Sequence, residues 1–347
     1  MAQPGRQAAR AYYESVRRAF KRASREAGEF EQRLQIGEVR VKLRFAGPGL
    51  SAVLLPAFSP VLQSGSGPND FEVELWDEAT TGVGIPPPPW SLRDVIARGD
   101  IRTLSGGRIR AHVARGHRVL TMWDCERRRG IMWAADAHRL PYWLRAAPLR
   151  LVLHWGLSSP RRHLLHAGAV GDERSGALLV GPNGSGKSTT SLACVRGGLG
   201  YAGDDCVLLE TEPSPRAISV YGTAKLSAPS VNLLPGLPAR RPSPDDESKF
   251  IVDVARAWPR LMQRSVAISV VLLPQVTAGR VLLRPASAAQ AFRALAPSTV
   301  LQHADESATG LALMSRLVRQ IPAYTLELGS DIAAVGPAIR HLLEVSL

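Results

Sequence analysis

Apolar residues near the N-terminus recur at helical spacing. The apolar positions are Tyr13, Val16, Phe20 and Ala23. They share one face of a helix that the pattern predicts over residues 6–33. Positive charge covers much of the rest, at Arg6, Arg10, Arg17, Arg18, Lys21, Arg22 and Arg25. Such a basic amphipathic helix, here residues 1–35, binds nucleic acid or a membrane surface, or packs on the protein body. The modest apolar stripe favours packing.

After this helix the pattern changes to alternation of apolar and polar positions. Val39, Val41, Leu43 and Phe45 alternate with basic residues, which predicts a half-buried strand. Further apolar stretches and strand candidates are residues 51–55, 71–76, 109–113, 118–123 and 130–134. Several short strands with few helices predict a mainly β N-terminal domain over residues 36–145, folded as a sandwich or barrel. We expect it to recognise a substrate or partner.

Residues 146–347 mix helix and strand patterns, which predicts an α+β or α/β domain. A Leu- and Trp-rich run over residues 146–157 predicts a helix, and buried strand candidates follow at residues 163–170 and 177–180. A turn between these two strands makes them a hairpin. Towards the C-terminus the pattern predicts two helices within 286–320, a strand at 324–328 and a helix at 331–345.

The composition is that of a folded, basic protein. The chain has 347 residues, of which 45% are hydrophobic and 21% charged, and its net charge is +13. This charge favours polyanionic partners such as nucleotides, nucleic acid, an acidic protein or an anionic membrane, and an arginine-rich coding bias explains it equally well. No motif of interleaved aromatic and basic residues supports nucleic acid in particular.

Three cysteines are scattered along the chain without a C-x-x-C pair, so neither a zinc site nor a disulfide framework is expected. No apolar run approaches the ~18 residues of a membrane span, and the N-terminus lacks an apolar signal region. We therefore expect a cytoplasmic protein. Its oligomeric state is left open, with a homo-oligomer among the alternatives.

A G-x-x-x-x-G-K-[ST] pattern, the P-loop motif, follows the strand candidate at 177–180 and precedes a helix start. Glycines let successive backbone N–H groups turn towards phosphate oxygens, and the helix N-terminus adds partial positive charge. Lys187 would reach the β- and γ-phosphates, and the Ser188 hydroxyl would bind Mg²⁺. The residues predicted to bind the nucleotide are Gly181, Pro182, Asn183, Gly184, Ser185, Gly186, Lys187, Ser188 and Thr189.

Two adjacent carboxylates, Asp204 and Asp205, stand about sixteen residues after this loop and directly before an apolar strand. Another apolar run, residues 266–273, ends in Pro274-Gln275 without the acid that ordinary P-loop ATPases carry there. Paired carboxylates suit phosphoryl transfer, because one can hold Mg²⁺ while the other accepts the proton of an attacking hydroxyl. Each also raises the proton affinity of the other. A strand-capping turn is the alternative interpretation.

Taken together, these segments resemble the HPr kinase/phosphorylase family, which has the phosphoenolpyruvate-carboxykinase-like P-loop fold. The resemblance rests on His166-Ala-Gly-Ala-Val, the hairpin, the P-loop and Gly203-Asp204-Asp205, and covers roughly residues 160–345. Thr189 stands where the bifunctional enzymes commonly carry Glu. The chain is more similar to divergent HPr-kinase-related proteins, some of which phosphorylate a hydroxyl of a peptide natural product.

The resemblance implies an ATP- and Mg²⁺-dependent kinase domain over residues 146–347, acting on a serine or threonine hydroxyl of a protein or peptide. It implies that Asp204 is the general base, that Asp205 joins Ser188 as a metal ligand, and that His166 orients or stabilises charge beside them. These residues leave open the acceptor, phosphorylase activity, and whether GTP or pyrophosphate replaces ATP.

A further cation is predicted from the Pro-rich region that follows the acids. Lys249 precedes the strand candidate at residues 250–254 and, on a loop near the triphosphate, would neutralise transition-state charge. A surface lysine is an equally good interpretation. Weaker or alternative candidates are Lys225, Arg256, Arg260 and Arg264.

Two other functions remain open alternatives to the kinase. A nucleotide-dependent ATPase or switch would have no phospho-acceptor and would need a water-positioning residue, and the missing acid after residue 273 argues against it. A nucleic-acid-directed kinase would fit the positive charge and the basic helix. Its binding would weaken steeply with salt.

Overall fold

The computed structural model describes residues 3–105, 107–114, 116–240, 249–300 and 308–345. It divides the chain into two compact units. The first unit comprises Met1–Pro56 and Leu62–Gly156, and the second comprises Ala57–Val61 and Leu157–Leu347. Short 3₁₀ helices lie at Leu55–Val61, Leu92–Asp94, Ala137–Arg139, Pro259–Leu261 and Ile332–Ala334.

The first unit is built on one seven-stranded sheet in the order β3-β1-β2-β4-β7-β6-β5. Its strands are β1 (Glu29–Ile36), β2 (Val39–Ala46), β3 (Leu62–Gln63), β4 (Phe71–Asp77), β5 (Ile109–Ala114), β6 (Val119–Asp124) and β7 (Arg129–Ala134). Strands β2, β4 and β7 pair in parallel and the remaining neighbours are antiparallel. This single mixed sheet replaces the predicted sandwich or barrel, because parallel neighbours need crossover connections that a run of hairpins does not provide.

Among the described residues, the helices that accompany this sheet are α1 (Gln3–Ala27), α2 (Gly49–Leu54), α3 (Glu78–Thr81), α4 (Tyr142–Ala146) and α5 (Arg150–Leu157). The predicted apolar face of α1, including Tyr13, Val16 and Phe20, is buried, and α1 contacts β2 and β4. The helix ends at Ala27, six residues before the predicted end, because Gly28 adopts a φ of +79°. The apolar residues 51–54 lie in α2.

The second unit contains three sheets. The six-stranded sheet has the order β11-β9-β10-β18-β20-β19, the four-stranded sheet β17-β13-β12-β8, and the three-stranded sheet β14-β16-β15. The strands are β8 (Arg162–Leu165), β9 (Gly168–Gly171), β10 (Gly176–Leu179), β11 (Tyr201–Gly203), β12 (Val207–Glu210), β13 (Arg216–Ile218), β14 (Thr223–Ser227), β15 (Ala239–Arg240), β16 (Lys249–Asp253), β17 (Ser265–Ala267), β18 (Val270–Gln275), β19 (Leu282–Ala286) and β20 (Ala323–Glu327). Strands β10, β18 and β20 are parallel, so their carboxyl ends meet at one sheet edge.

The helices of this unit are α6 (Lys187–Arg196), α7 (Ala228–Leu233), α8 (Val254–Ala257), α9 (Ala288–Val300), α10 (Ala308–Gln320) and α11 (Val335–Val345). The two helices predicted within 286–320 are α9 and α10, and residues 301–307 between them lie outside the described residues. In the described ranges, no helix of either unit is both long enough and apolar enough to cross a membrane.

Core clusters of described residues pack on both faces of the six-stranded sheet. Leu178 and Val180 belong to the core with α9 and α10, whereas Ala177 and Leu179 belong to the core with α6 and α11. All four side chains are fully buried. The strand that leads to the P-loop is therefore fixed from both faces, which gives the loop a rigid base.

Candidate functional site

The P-loop sits where β10 ends and α6 begins. Gly181, Gly184 and Gly186 adopt φ values of +151°, +83° and +103°, which residues with a side chain rarely adopt. Pro182, Asn183 and Gly184 form the exposed tip. Lys187 is the first residue of α6 and Ser188 the second, so both stand at the helix N-terminus.

The loop packs closely enough that Gly181 and Gly186 are required by space as well as by φ. A Cβ added to Gly186 would lie 2.4 Å from Leu328 Cδ1, just after β20. A Cβ added to Gly181 would lie 2.7 Å from Ser185 Oγ. That hydroxyl is buried and has no hydrogen-bond partner among the described residues, which fits a loop that accepts a phosphate group.

Lys187 is turned back onto the loop. Its Nζ donates to the carbonyl oxygens of Gly181 and Pro182 at 2.7 and 3.1 Å. Burial lowers the pKa of Lys187, whereas Asp204 and Asp205 act in the opposite direction. The neighbouring Thr189 donates from Oγ1 to Ser230 Oγ at 3.0 Å, which ties the first turn of α6 to α7.

Asp204 is a buried carboxylate beside the helix N-terminus. Burial raises the pKa of Asp204 to about 6, and the negative charge of Asp205 adds to this rise. A hydrogen bond from Ser188, the Lys225 backbone N–H at 3.3 Å and the charge of Lys187 favour the ionised form. A carboxylate with this pKa is ionised at neutral pH and still able to accept a proton.

Asp205 is held on both of its oxygens. Oδ1 lies 3.1 Å from His166 Nε2, and Oδ2 lies 2.6 Å from Lys225 Nζ. Its backbone adopts a φ of +67°, so the turn that carries the two acids is strained at this residue. His166 is itself buried, and its backbone N–H donates to Thr299 Oγ1 of α9 at 3.3 Å.

A switch between sheets explains why His166 meets the acids. The segment predicted as one strand over 163–170 is two strands in different sheets, β8 and β9, and His166 lies where the chain passes between them. The acids lie at the matching passage from β11 to β12. Because β11 pairs with β9 and β12 pairs with β8, the two passages run side by side.

Lys225, a weaker candidate from the sequence, contacts both acids of the site. It lies on β14, where its backbone N–H donates a hydrogen bond to Asp204 and its ammonium forms an ion pair with Asp205. Lys249, which ranked higher, begins β16 opposite Ser227 and is partly buried. The register places Lys249 diagonally across from Lys225 on the same face, at a typical Cβ separation of roughly 7–8 Å. The useful signal was the alternation of Ala224, Lys225 and Leu226, which buries the two apolar neighbours and turns the lysine to the other face.

The three arginines considered as alternative cations, Arg256, Arg260 and Arg264, are exposed. Arg256 uses its backbone N–H to cap α8 through Asp253 Oδ1 at 3.0 Å. The site therefore holds two lysines, Lys187 and Lys225, against two carboxylates. Within the described ranges, no three His, Cys, Asp or Glu side chains group as a metal site.

Comparisons with known proteins leave the family unassigned. No family model matches the chain, and no curated protein matches it. Among solved structures, the Hpr(Ser) kinase/phosphatase from Coxiella burnetii is similar over 53% of this chain and 99% of that chain. The sequence identity is 14% and the TM-score is 0.30. At this TM-score the likeness carries no functional argument.

Proposed function

We propose that the protein is a Mg²⁺- and ATP-dependent phosphotransferase that transfers the γ-phosphoryl group to a serine or threonine hydroxyl of a protein or peptide. One observation carries the proposal. The N-terminus of a P-loop helix stands beside a buried carboxylate, Asp204, that Ser188 hydrogen-bonds and whose pKa burial raises to about 6. A phosphate-binding loop and a proton acceptor therefore share one site.

The nucleotide phosphates would lie against the backbone N–H groups that the loop residues 181–189 other than Pro182 contribute, at the positive end of α6. Lys187 would leave the carbonyl oxygens of Gly181 and Pro182 and bind the β- and γ-phosphates. The buried Ser185 hydroxyl would gain a phosphate oxygen as its partner.

Ser188 and Asp205 would hold Mg²⁺, which supplies positive charge against the phosphate oxygens when it is bound. The donor set fits this ion, because hydroxyl and carboxylate oxygens are the ligands that Mg²⁺ prefers. His166 would keep the Asp205 carboxylate in place through its hydrogen bond to Oδ1. Lys249 would add positive charge from β16.

The reaction would form a bond between the acceptor oxygen and the γ-phosphorus. It would break the bond between that phosphorus and the bridging oxygen, so that ADP leaves with the bond's electron pair. Asp204 would take the proton of the acceptor hydroxyl. The first unit would recognise the substrate.

Incubation with γ-labelled ATP and Mg²⁺, with and without extract of the source cells, tests the proposal. The wild type is compared with Asp204→Asn. We expect label on a discrete protein or peptide, lost in the variant while ADP binding persists. Label released only as free phosphate, equally from both proteins, would overturn the proposal in favour of an ATPase. Label on nucleic acid, lost after nuclease treatment, would redirect it to a nucleic-acid kinase.

A further inference from the structure

Lys225 is fixed by its backbone and has freedom only in its side chain. Its neighbours Ala224 and Leu226 are buried in the core of the second unit, and β14 pairs with β16 along five residues. Its backbone N–H is used by Asp204. Only the four-carbon side chain can change position without disturbing the sheet.

The ammonium of Lys225 occupies one oxygen of the carboxylate that would hold the metal. Nζ lies 2.6 Å from Oδ2, while His166 uses Oδ1, so both oxygens of this carboxylate have partners. The exposed fractions of the two side chains are 15% and 16%, which leaves the pair only partly screened by solvent. A cation that binds Asp205 would therefore compete with Lys225 for this carboxylate.

The balance of charges at the site indicates that the Lys225 ammonium would move towards the nucleotide phosphates. Lys187 and Lys225 balance Asp204 and Asp205 when all four groups are ionised. The phosphates of a bound nucleotide carry more negative charge than Lys187 and one divalent ion can neutralise. An ammonium released from Asp205 would add a positive charge to that of Lys187 at this site.

We propose that Lys225 exchanges partners during the reaction: it pairs with Asp205 before the metal binds, then moves to the γ-phosphoryl group and stabilises the charge that develops on it. This inference rests on the proposed function and adds a catalytic residue to it. If this exchange occurs, removal of the Lys225 charge slows the reaction and also makes Asp205 more available to Mg²⁺. A purely structural ion pair would not produce both effects.

The test compares Lys225→Gln and Lys225→Arg with the wild type, with Lys42→Gln as the matched control. Lys42 is also a strand lysine in an ion pair, with Glu31, but it lies in the first unit. Turnover is measured with Mg²⁺ and ATP, and the Mg²⁺ dependence of ADP binding is measured by calorimetry. Thermal unfolding establishes that each variant is folded.

We expect Lys225→Gln to lower kcat about 10²–10³-fold, the usual cost of losing one group that stabilises transition-state charge. We also expect its half-saturating Mg²⁺ concentration for ADP binding to fall several-fold. Lys225→Arg should keep an intermediate kcat, and Lys42→Gln should match the wild type in both measurements. A Lys225→Gln kcat within about threefold of the wild type, or weaker Mg²⁺ binding by this variant, would overturn the inference.

Two outcomes separate this inference from the proposed function. If the wild type hydrolyses ATP but labels no acceptor, the kinase proposal fails, and hydrolysis still reports the effect of Lys225. If the wild type labels an acceptor and only Lys249→Gln slows the transfer, the proposed function stands and the role of the mobile cation passes from Lys225 to Lys249.

Discussion

His166 Nε2 lies 3.1 Å from Asp205 Oδ1, although 39 residues separate them in the chain. The histidine is almost fully buried at the passage from β8 to β9, and its backbone is held by Thr299. Through its contact with Oδ1 we expect His166 to position the Asp205 carboxylate.

Replacement of this histidine should reduce phosphoryl transfer without preventing nucleotide binding. We expect His166→Ala to lower kcat about 10–100-fold, the usual effect of removing a group that orients a metal-binding carboxylate. His166→Gln, which can keep a hydrogen bond, should recover part of the loss. ADP affinity without Mg²⁺ should stay near that of the wild type. Equal kcat values for the Ala and Gln variants would argue against positioning through the hydrogen bond.

Asp204 should reduce the stability of the protein at neutral pH. Its folded pKa of about 6 lies above its ordinary value of 3.8, so the folded state binds the proton more tightly than the unfolded state. The resulting cost is absent below about pH 4, develops as the pH rises to about 6, and persists above it. Asp204→Asn removes the charge, so it should stabilise the nucleotide-free protein by an amount on the order of 2 kcal/mol at pH 7.5.

Denaturant unfolding of both proteins at several pH values between 4 and 8, without Mg²⁺ or nucleotide, checks this expectation. The stability difference should be small at pH 4 and largest above pH 6. A constant difference across this range would mean that the carboxylate is not the source. The same variant loses activity in the proposed mechanism, so stability and function would change in opposite directions.

Gly186 should tolerate no side chain. Alanine there would adopt an unfavourable φ of +103° and place its Cβ 2.4 Å from Leu328 Cδ1. We expect Gly186→Ala to weaken ADP binding at least about tenfold, because the loop amides and Lys187 would shift. Gly279 is the matched control, since its φ is +100° but nothing lies within 4 Å of an added Cβ. Isothermal titration with ADP should find Gly279→Ala close to the wild type, and similar losses in both variants would exclude the contact with Leu328 as the cause.

Glu74 should be a main determinant of stability in the first unit. Its fully buried carboxylate accepts from Arg17 at 3.2 and 3.4 Å and from Arg44 at 3.1 Å. Glu74→Ala leaves two partly buried guanidinium groups without this partner, which typically costs about 3–5 kcal/mol. Glu31→Ala, which removes the partly exposed partner of Lys42, should cost about 1 kcal/mol or less. Urea unfolding of the full chain compares them, and comparable losses would refute the importance of burial.

The sequence by itself determined the features that depend on neighbouring residues. The spacing of Tyr13, Val16 and Phe20 determined the buried face of α1, because helix geometry repeats every 3.6 residues. The P-loop pattern determined the turn between β10 and α6, because only glycine readily adopts its positive φ values. The same local rules located β2, β4 and the C-terminal strand and helix.

Tertiary structure alone decided what depends on pairing between distant segments. No local pattern divides residues 163–170 between two sheets, because apolar residues on both sides of His166 satisfy either strand equally well. The seven-stranded sheet of the first unit depends on parallel pairs between strands that are not consecutive. Lys225 reaches Asp205 only because β14 passes the turn between β11 and β12, and an ion pair has no sequence period that would reveal it. Burial of that turn is the main cause of the raised pKa of Asp204, and the charge of Asp205 adds to the rise.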